Sequence, residues 1–254
     1  MHKDIWREEI RDNFNKAAYV YNKHCSIQSF YAQKLVNILI NIDIPNGSWL
    51  DLGSGTGNLA DEIEKRFPNK QVIRIDNSEV MLKKNRIDSQ SLKILWDLNY
   101  GLPSLKDKPS LLVSNFSIQW LNKPEKIIQG WLDSLKESGY LGIVVPIQSS
   151  FPEWKLACQE SGVNFSGIDL PTPSSLTDHL KEEKILINKT DKYVQSSSNV
   201  FSLLKNIIRI GAHSTNKSKN KVSELKLLKN AWGKNNNDGD IKLTWKIQTL
   251  LVKK

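Results

Sequence analysis

The run Trp49-Leu50-Asp51-Leu52-Gly53-Ser54-Gly55-Thr56-Gly57-Asn58 constrains this chain more than any other stretch. A short apolar strand feeds a turn with three glycines. An amphipathic helix follows, with Leu59, Ile63 and Phe67 on one side and Asp61, Glu62 and Lys65 on the other. Gly53, Gly55 and Gly57 let the backbone turn sharply and lie against a ligand, because a β-carbon would block both. The start of the helix then offers free N–H groups to something polar.

What the run lacks narrows the ligand. A phosphate-binding loop ends in Gly-Lys-Ser/Thr, and position 58 is Asn. The dinucleotide fingerprint Gly-x-Gly-x-x-Gly would want glycine at 58, whereas the spacing here is Gly-x-Gly-x-Gly, preceded by Asp51. A second predicted strand, Gln71 to Asp76, ends in an acid about twenty residues on, suited to gripping a ribose diol. No phosphate-binding feature accompanies it. Together LDLGSGTG and VIRIDNSEVML resemble the first and second motifs of the class I S-adenosylmethionine (SAM) methyltransferases.

The rest of the chain fits an alternation of strands and helices. Residues 5–40 read as helical, and Pro45-Asn46-Gly47 turns into the first strand. Ser78 is a candidate cap for a helix over 79–86. Strands are predicted at 92–96, 110–114 and 139–145, with a helix at 124–137 between the last two. Beyond Pro146 the pattern predicts helices at 152–161 and 174–182, a strand at 184–193, a helix at 201–210 ended by Gly211, and a helix at 222–232. Asn235 to Gly239 reads as a loop before a last strand at 241–252. Such alternation implies an α/β, doubly wound sheet. The methyltransferase resemblance makes it a seven-stranded Rossmann-like sheet. That resemblance divides the chain into an N-terminal helical cover (1–44), a SAM-binding core (45–147) and a C-terminal part (148–254). This last part carries a helical lid at about 199–238, and the whole forms one catalytic unit.

Composition excludes several classes. The 254 residues are 39% hydrophobic and 25% charged, ordinary for a soluble globular chain. No run of eighteen apolar residues exists, so no membrane partner is expected. The first nine residues are highly charged and do not read as a secretory signal. Two cysteines, Cys25 and Cys158, make neither a disulfide framework nor a metal set, and a reducing cytoplasm is the simplest setting. Charge is uneven. Residues 200–254 hold twelve Lys/Arg and three Asp/Glu, a balance of +9 that equals the net +9 of the whole chain. A basic face of this kind suits solubility or an acidic partner, nucleic acid or carrier protein.

Two further segments sharpen the resemblance. The spacing Phe14-x-x-Ala17-Ala18-x-x-Tyr21-x-x-His24-x-x-x-Gln28 and the segment Ser114-Asn115-Phe116-Ser117-Ile118-Gln119-Trp120 are similar to the malonyl-acyl-carrier-protein O-methyltransferases of biotin synthesis. Ile210-Gly211-Ala212, Ser223-Glu224-Leu225 and Ala231-Trp232 fit the same family, and the likeness runs from about residue 14 to 252. One departure matters. The family tends to carry a basic residue three before Gly211, and this chain has Ile208 there, with Arg209 beside it and Lys205 one turn back.

The resemblance implies that the methyl of SAM passes to the free carboxylate of a malonyl thioester, carried by an acidic acyl carrier protein. A carboxylate is already ionised at neutral pH, so no general base and no metal are expected. The protein's task would be alignment and exclusion of water. By position, the resemblance assigns Gly53, Gly55, Gly57 and Asn115 to the methionine side of SAM, Asp76 to the ribose, and Asp97 with Leu98 to the adenine. It also counts Asp51, Ser54 and Asn77 among the cofactor-binding residues. Tyr21, Arg209 and Lys205 are the candidates for holding the acceptor carboxylate. Three alternatives stay open: another small carboxylic acid or a quinone precursor as acceptor, a nucleic-acid methyltransferase, and a non-catalytic protein that keeps the SAM fold. The Asn/Asp-Pro-Pro-aromatic signature of many nucleic-acid enzymes is absent after the fourth strand, where Asn115-Phe116-Ser117-Ile118 stands. Nucleic acid is therefore not the expected partner.

Overall fold

A computed structural model of the chain describes residues 2–85, 91–180, 184–213, 221–233 and 240–254. The expected loop at 235–239, Lys217, Lys219 and Lys234 of the basic tail, and the expected helix ends at 86 and 182 lie outside the described residues.

Among the described residues, seven strands form one sheet. They are β1 (Trp49–Leu52), β2 (Val72–Asp76), β3 (Lys93–Leu95), β4 (Leu111–Asn115), β5 (Tyr140–Pro146), β6 (Lys184–Ser197) and β7 (Ile241–Lys253). Their order is β3-β2-β1-β4-β5-β7-β6, the order of the class I methyltransferases. The first five are parallel, and β7 runs antiparallel between β5 and β6. β1, β4 and β5 are near-continuous apolar runs because both of their faces are covered.

Side chains alternate between two cores. Trp49, Leu111 and Val113 point to one face. There they meet α3 (Ser26–Leu39), α4 (Asn58–Arg66), α7 (Pro152–Ser161), α9 (Val200–Arg209) and α10 (Val222–Gly233), through Leu35, Ile63, Trp154, Leu203 and Trp232. Leu50, Leu112 and Ile143 point to the other face. They pack with Trp131 and Leu132 of α6 (Pro124–Ser134) and Leu176 of α8 (Pro173–Thr177). β1 pairs with β2 on one side and β4 on the other, so its two neighbours are reached by crossovers in opposite directions. That reversal opens a crevice at the carboxyl ends of the strands.

Three expectations are corrected. The helix expected over 5–40 is broken into α1 (His2–Ala17), α2 (Tyr21–His24) and α3. Tertiary contacts override local propensity here: buried Cys25 lies at the second break, where its Sγ accepts from Asn58 Nδ2 at 3.0 Å. The helix expected from 174 is only Pro173–Thr177, capped by Thr172, whose Oγ1 accepts from the Ser175 N–H. β6 runs four residues past the expected Tyr193, because β7 pairs with it along its full length, as far as Ser197↔Ile241. Both α9 and α10 fall between β6 and β7. Gly211, at φ +74°, brings the end of α9 against α1, where a β-carbon would press on the Asn13 carbonyl and Phe14.

Candidate active site

The glycine turn is held from beneath. The N–H groups of Gly53 and Ser54 both donate to the Ile75 carbonyl, at 2.8 and 2.9 Å, which ties the end of β1 to β2. Gly53 has φ +76°, and a β-carbon there would overlap the Ser117 side chain. Gly57 has φ +91°, and a β-carbon would overlap Asn85 and Arg74. Arg74 is fully buried and accounts for the charge placed inside an apolar strand. Its guanidinium meets Asp61 at 2.8 Å and Glu64 at 2.6 Å, and donates to Asn85 Oδ1 at 2.9 Å. Asn85 Nδ2 in turn donates to the Gly55 carbonyl at 2.9 Å. A chain of charge and amide contacts thus runs from β2 to the middle of the turn.

Two carboxylates define the floor. Asp76 accepts from the Gly55 N–H through Oδ2 and from the Ser78 N–H through Oδ1, each at 2.8 Å. Burial raises its pKa, against the pull of those backbone donors. Asp51 accepts from the Ala60 N–H at 3.1 Å and so secures the start of α4. Burial pushes its carboxyl up to about 7, opposed by the nearby Arg74 charge.

A cleft open to solvent lies above this floor. Asp51, Gly53, Ser54, Gly55, Asp76, Asn77, Asp97, Leu98 and Asn115 all line it. Gly57 does not; its role is to pass close to Arg74 and Asn85 below. Asp97 caps the short helical turn that follows it, accepting from the N–H and Nδ2 of Asn99 at 2.9 and 2.8 Å. Arg7 of α1 approaches its other oxygen at 3.8 Å and also lines the cavity, a contribution the sequence motifs did not signal. Asn115 donates to the Gln28 carbonyl at 3.0 Å. Buried side-chain oxygens of Ser54, Asn115 and Gln28 have no partner in the chain, and all three residues line this space.

These features fit SAM. The glycine backbone leaves room for a close ligand, the unpartnered oxygens match its amino group, and Asp76 keeps lone pairs for a diol. Among the described residues, no group of three or more His, Cys, Asp or Glu is placed to hold a metal ion. No helix among them is long and apolar enough to cross a membrane.

A second cavity, of about 440 Å³, adjoins the first. The two share Phe14, Tyr21, Gln28, Phe116 and Trp120. Phe14 and Trp120 meet edge to face at 5.5 Å between ring centres. Tyr21 therefore stands at the junction, and burial raises its hydroxyl pKa well above the ordinary tyrosine value, which keeps it a proton donor. Lys205 lines the second cavity, together with Leu204, Ile207 and Ile208 of α9. Arg209 sits in the last turn of that helix, exposed, and the structure brings it to neither cavity.

The sequence profile of a methyltransferase domain matches residues 22–183. Malonyl-acyl-carrier-protein O-methyltransferase 1 of Ilyobacter polytropus is 26% identical over 218 residues, 83% of this chain and 80% of that one. Trans-aconitate 2-methyltransferase of Sinorhizobium fredii is 29% identical over 153 residues, 54% of this chain and 57% of its own. Among solved structures, YcgJ of Bacillus subtilis superposes with a TM-score of 0.60 at 13% identity, over 87% of this chain and 98% of that one. The plantazolicin methyltransferase BpumL in complex with SAH superposes with a TM-score of 0.55 at 16% identity, over 98% and 95%.

Proposed function

The chain belongs to the methyltransferase-domain family, and on that premise we propose that it transfers the methyl of SAM to a free carboxylate, with a malonyl thioester on an acyl carrier protein as the leading acceptor. The observation that carries this reading is the meeting of two cavities at Tyr21, one built like a SAM site and one open to an acceptor. SAM would supply an activated methyl group and a positive charge beside the acceptor. Asp76 and Asn77 hold the ribose hydroxyls. Leu98 and the outer oxygen of Asp97 face the adenine. Ser54, Asn115 and the backbone of Gly53 and Gly55 hold the amino-acid end, while Asp51, Gly57, Asn85 and Arg74 keep the turn in place.

The acceptor needs no base, because a carboxylate is ionised at neutral pH. Tyr21 donates its proton-bearing hydroxyl to one carboxylate oxygen, and Lys205 supplies charge from the margin of the larger cavity. Alignment between two adjoining sites can contribute roughly 7–11 kcal/mol in favourable cases. Exposed Lys221, just before α10, and exposed Lys226 and Lys229 on it give the lid helices a basic face that an acidic carrier protein complements. The product would be a methyl-protected thioester of the kind that biotin assembly starts from.

Incubation with SAM and malonyl-carrier protein, read by mass spectrometry, tests this directly: one methyl group should be added to the acyl chain. Methylation of free small acids with no reaction of the carrier-linked form would favour a second reading, a methyltransferase of another carboxylic acid. That reading draws on the displacement of Arg209 from the cavities and on the trans-aconitate 2-methyltransferase among the relatives.

A further inference from the structure

The larger cavity exceeds what the three-carbon end of a malonyl thioester requires. Its volume of about 440 Å³ is roughly three times the ~150 Å³ of a cavity that admits one benzene ring. At that looseness it would hold up to about eighteen carbon atoms. Its walls are aromatic and aliphatic: Phe151, Trp154, Leu204, Ile207 and Trp245. Phe151 and Trp245 meet edge to face at 4.6 Å between ring centres, so this end of the chamber is a packed aromatic surface. Lys205 is exposed and stands at the margin. The residues shared with the SAM-shaped cavity are polar at Tyr21 and Gln28 and carry no formal charge. Lys205 and His213 are the lining residues able to carry a positive charge, and the rest of the lining is apolar or uncharged, so a second carboxylate away from those two would lose its hydration without gaining a partner. A malonyl group on its polar arm leaves most of the apolar wall unused.

We propose that this chamber seats the apolar body of a monocarboxylic acid of about eight to sixteen carbon atoms, with its carboxylate at the junction beside Tyr21, and that the enzyme methylates such acids in addition to malonyl acceptors. The inference rests on the carboxylate reading above and widens its acceptor class. A carboxylate oxygen gives a lone pair to the methyl carbon of SAM. The carbon–sulfur bond breaks with its electron pair passing to sulfur. A methyl ester and S-adenosylhomocysteine result, and no proton moves.

Calorimetry on the full chain with S-adenosylhomocysteine present, using hexanoate and dodecanoate as probes, tests the seat. Each buried methylene is worth about a fourfold step in affinity, so dodecanoate should bind at least about 100-fold tighter than hexanoate. With SAM present, methyl dodecanoate should appear by mass spectrometry. Leu204→Trp should fill the chamber and weaken dodecanoate at least about tenfold, while S-adenosylhomocysteine affinity stays within about twofold. Ile208→Trp, at a half-exposed position on the same wall, repeats the test if the first variant fails to fold. Equal affinity for the two acids, dodecanoate binding undiminished in the filled variants, or binding without ester formation would each overturn the inference. Methylation of malonyl-carrier protein without dodecanoate binding would overturn it and leave the proposed function standing. Failure to bind S-adenosylhomocysteine would overturn both.

Discussion

The Gly55 N–H donates to Oδ2 of Asp76 across 2.8 Å, so the acid that ends the second strand also anchors the turn that ends the first. Replacing Asp76 by Ala removes two prospective bonds to the ribose and strands the N–H groups of Gly55 and Ser78. SAM affinity should fall by about 2–4 kcal/mol, and the melting temperature should fall with it. Calorimetry and thermal unfolding on the same samples check both. Parent-like SAM binding would sink the ribose assignment.

The three glycines should not respond alike. Gly57→Ala forces a β-carbon into Asn85 and the buried Arg74, on top of a left-handed backbone, and should cost more than about 2 kcal/mol of stability. At Gly55 a β-carbon meets nothing within 4 Å, because it opens on the cavity. Gly55→Ala should therefore cost only about 1–2 kcal/mol of stability, from its φ of +54°. Its larger effect should be on SAM affinity. Urea unfolding and SAM titration of both variants separate the two outcomes.

Asp51 gives a pH signature. Its folded-state pKa of about 7 lies above the ordinary 3.8. The folded chain thus keeps a proton that the unfolded chain has already released. The stability this contributes is complete below about pH 4 and is lost as pH rises through 7. Asp51→Asn should flatten that part of the profile. Urea midpoints at pH 5 and pH 8 should differ less in the variant than in the parent, and an unchanged difference would relocate the titrating group.

Around the acceptor, Tyr21→Phe should lower kcat/KM about tenfold through loss of one hydrogen bond. Between pH 6 and 8 the single-turnover rate should stay level in parent and variant, since no base must lose a proton. A steep rise near pH 7 would contradict the base-free mechanism. Lys205→Ala should raise KM for the acceptor severalfold, and Arg209→Ala should leave it within about twofold, in line with their places on and off the chamber wall.

Neutralising Lys221, Lys226 and Lys229 together should slow association with malonyl-carrier protein and weaken its salt dependence, while a small malonyl thioester is turned over as before. Stopped-flow association at two ionic strengths is the measurement. Equal losses on both substrates would indicate a folding defect.

Much of the lining of the smaller cavity was legible in sequence because it is local. Asp51 to Gly57 is one strand-turn segment, Asp76 and Asn115 end β2 and β4, and Asp97 follows the end of β3 by two residues, all at the edge where a doubly wound sheet delivers its strand ends. The larger cavity is not local. Its wall is assembled from Tyr21, Phe151, Leu204 and Trp245, whose only common signal is hydrophobicity, the same signal as any core. Helical periodicity put Lys205 and Arg209 on one face but could not say where along α9 the chamber ends. Arg74 left a clue: a cation inside V-I-R-I-D requires buried partners, and it found Asp61, Glu64 and Asn85.

Phe14, Tyr21 and Gln28 reach both cavities from a single N-terminal stretch. A ligand that orders that partition from one side would order it for the other side as well. The two substrates should then assist each other, each raising the other's affinity by the same factor, as equilibrium linkage demands. A methyltransferase so arranged would release its methylated product and its spent donor most readily in succession, since the first departure would loosen the wall that retains the second.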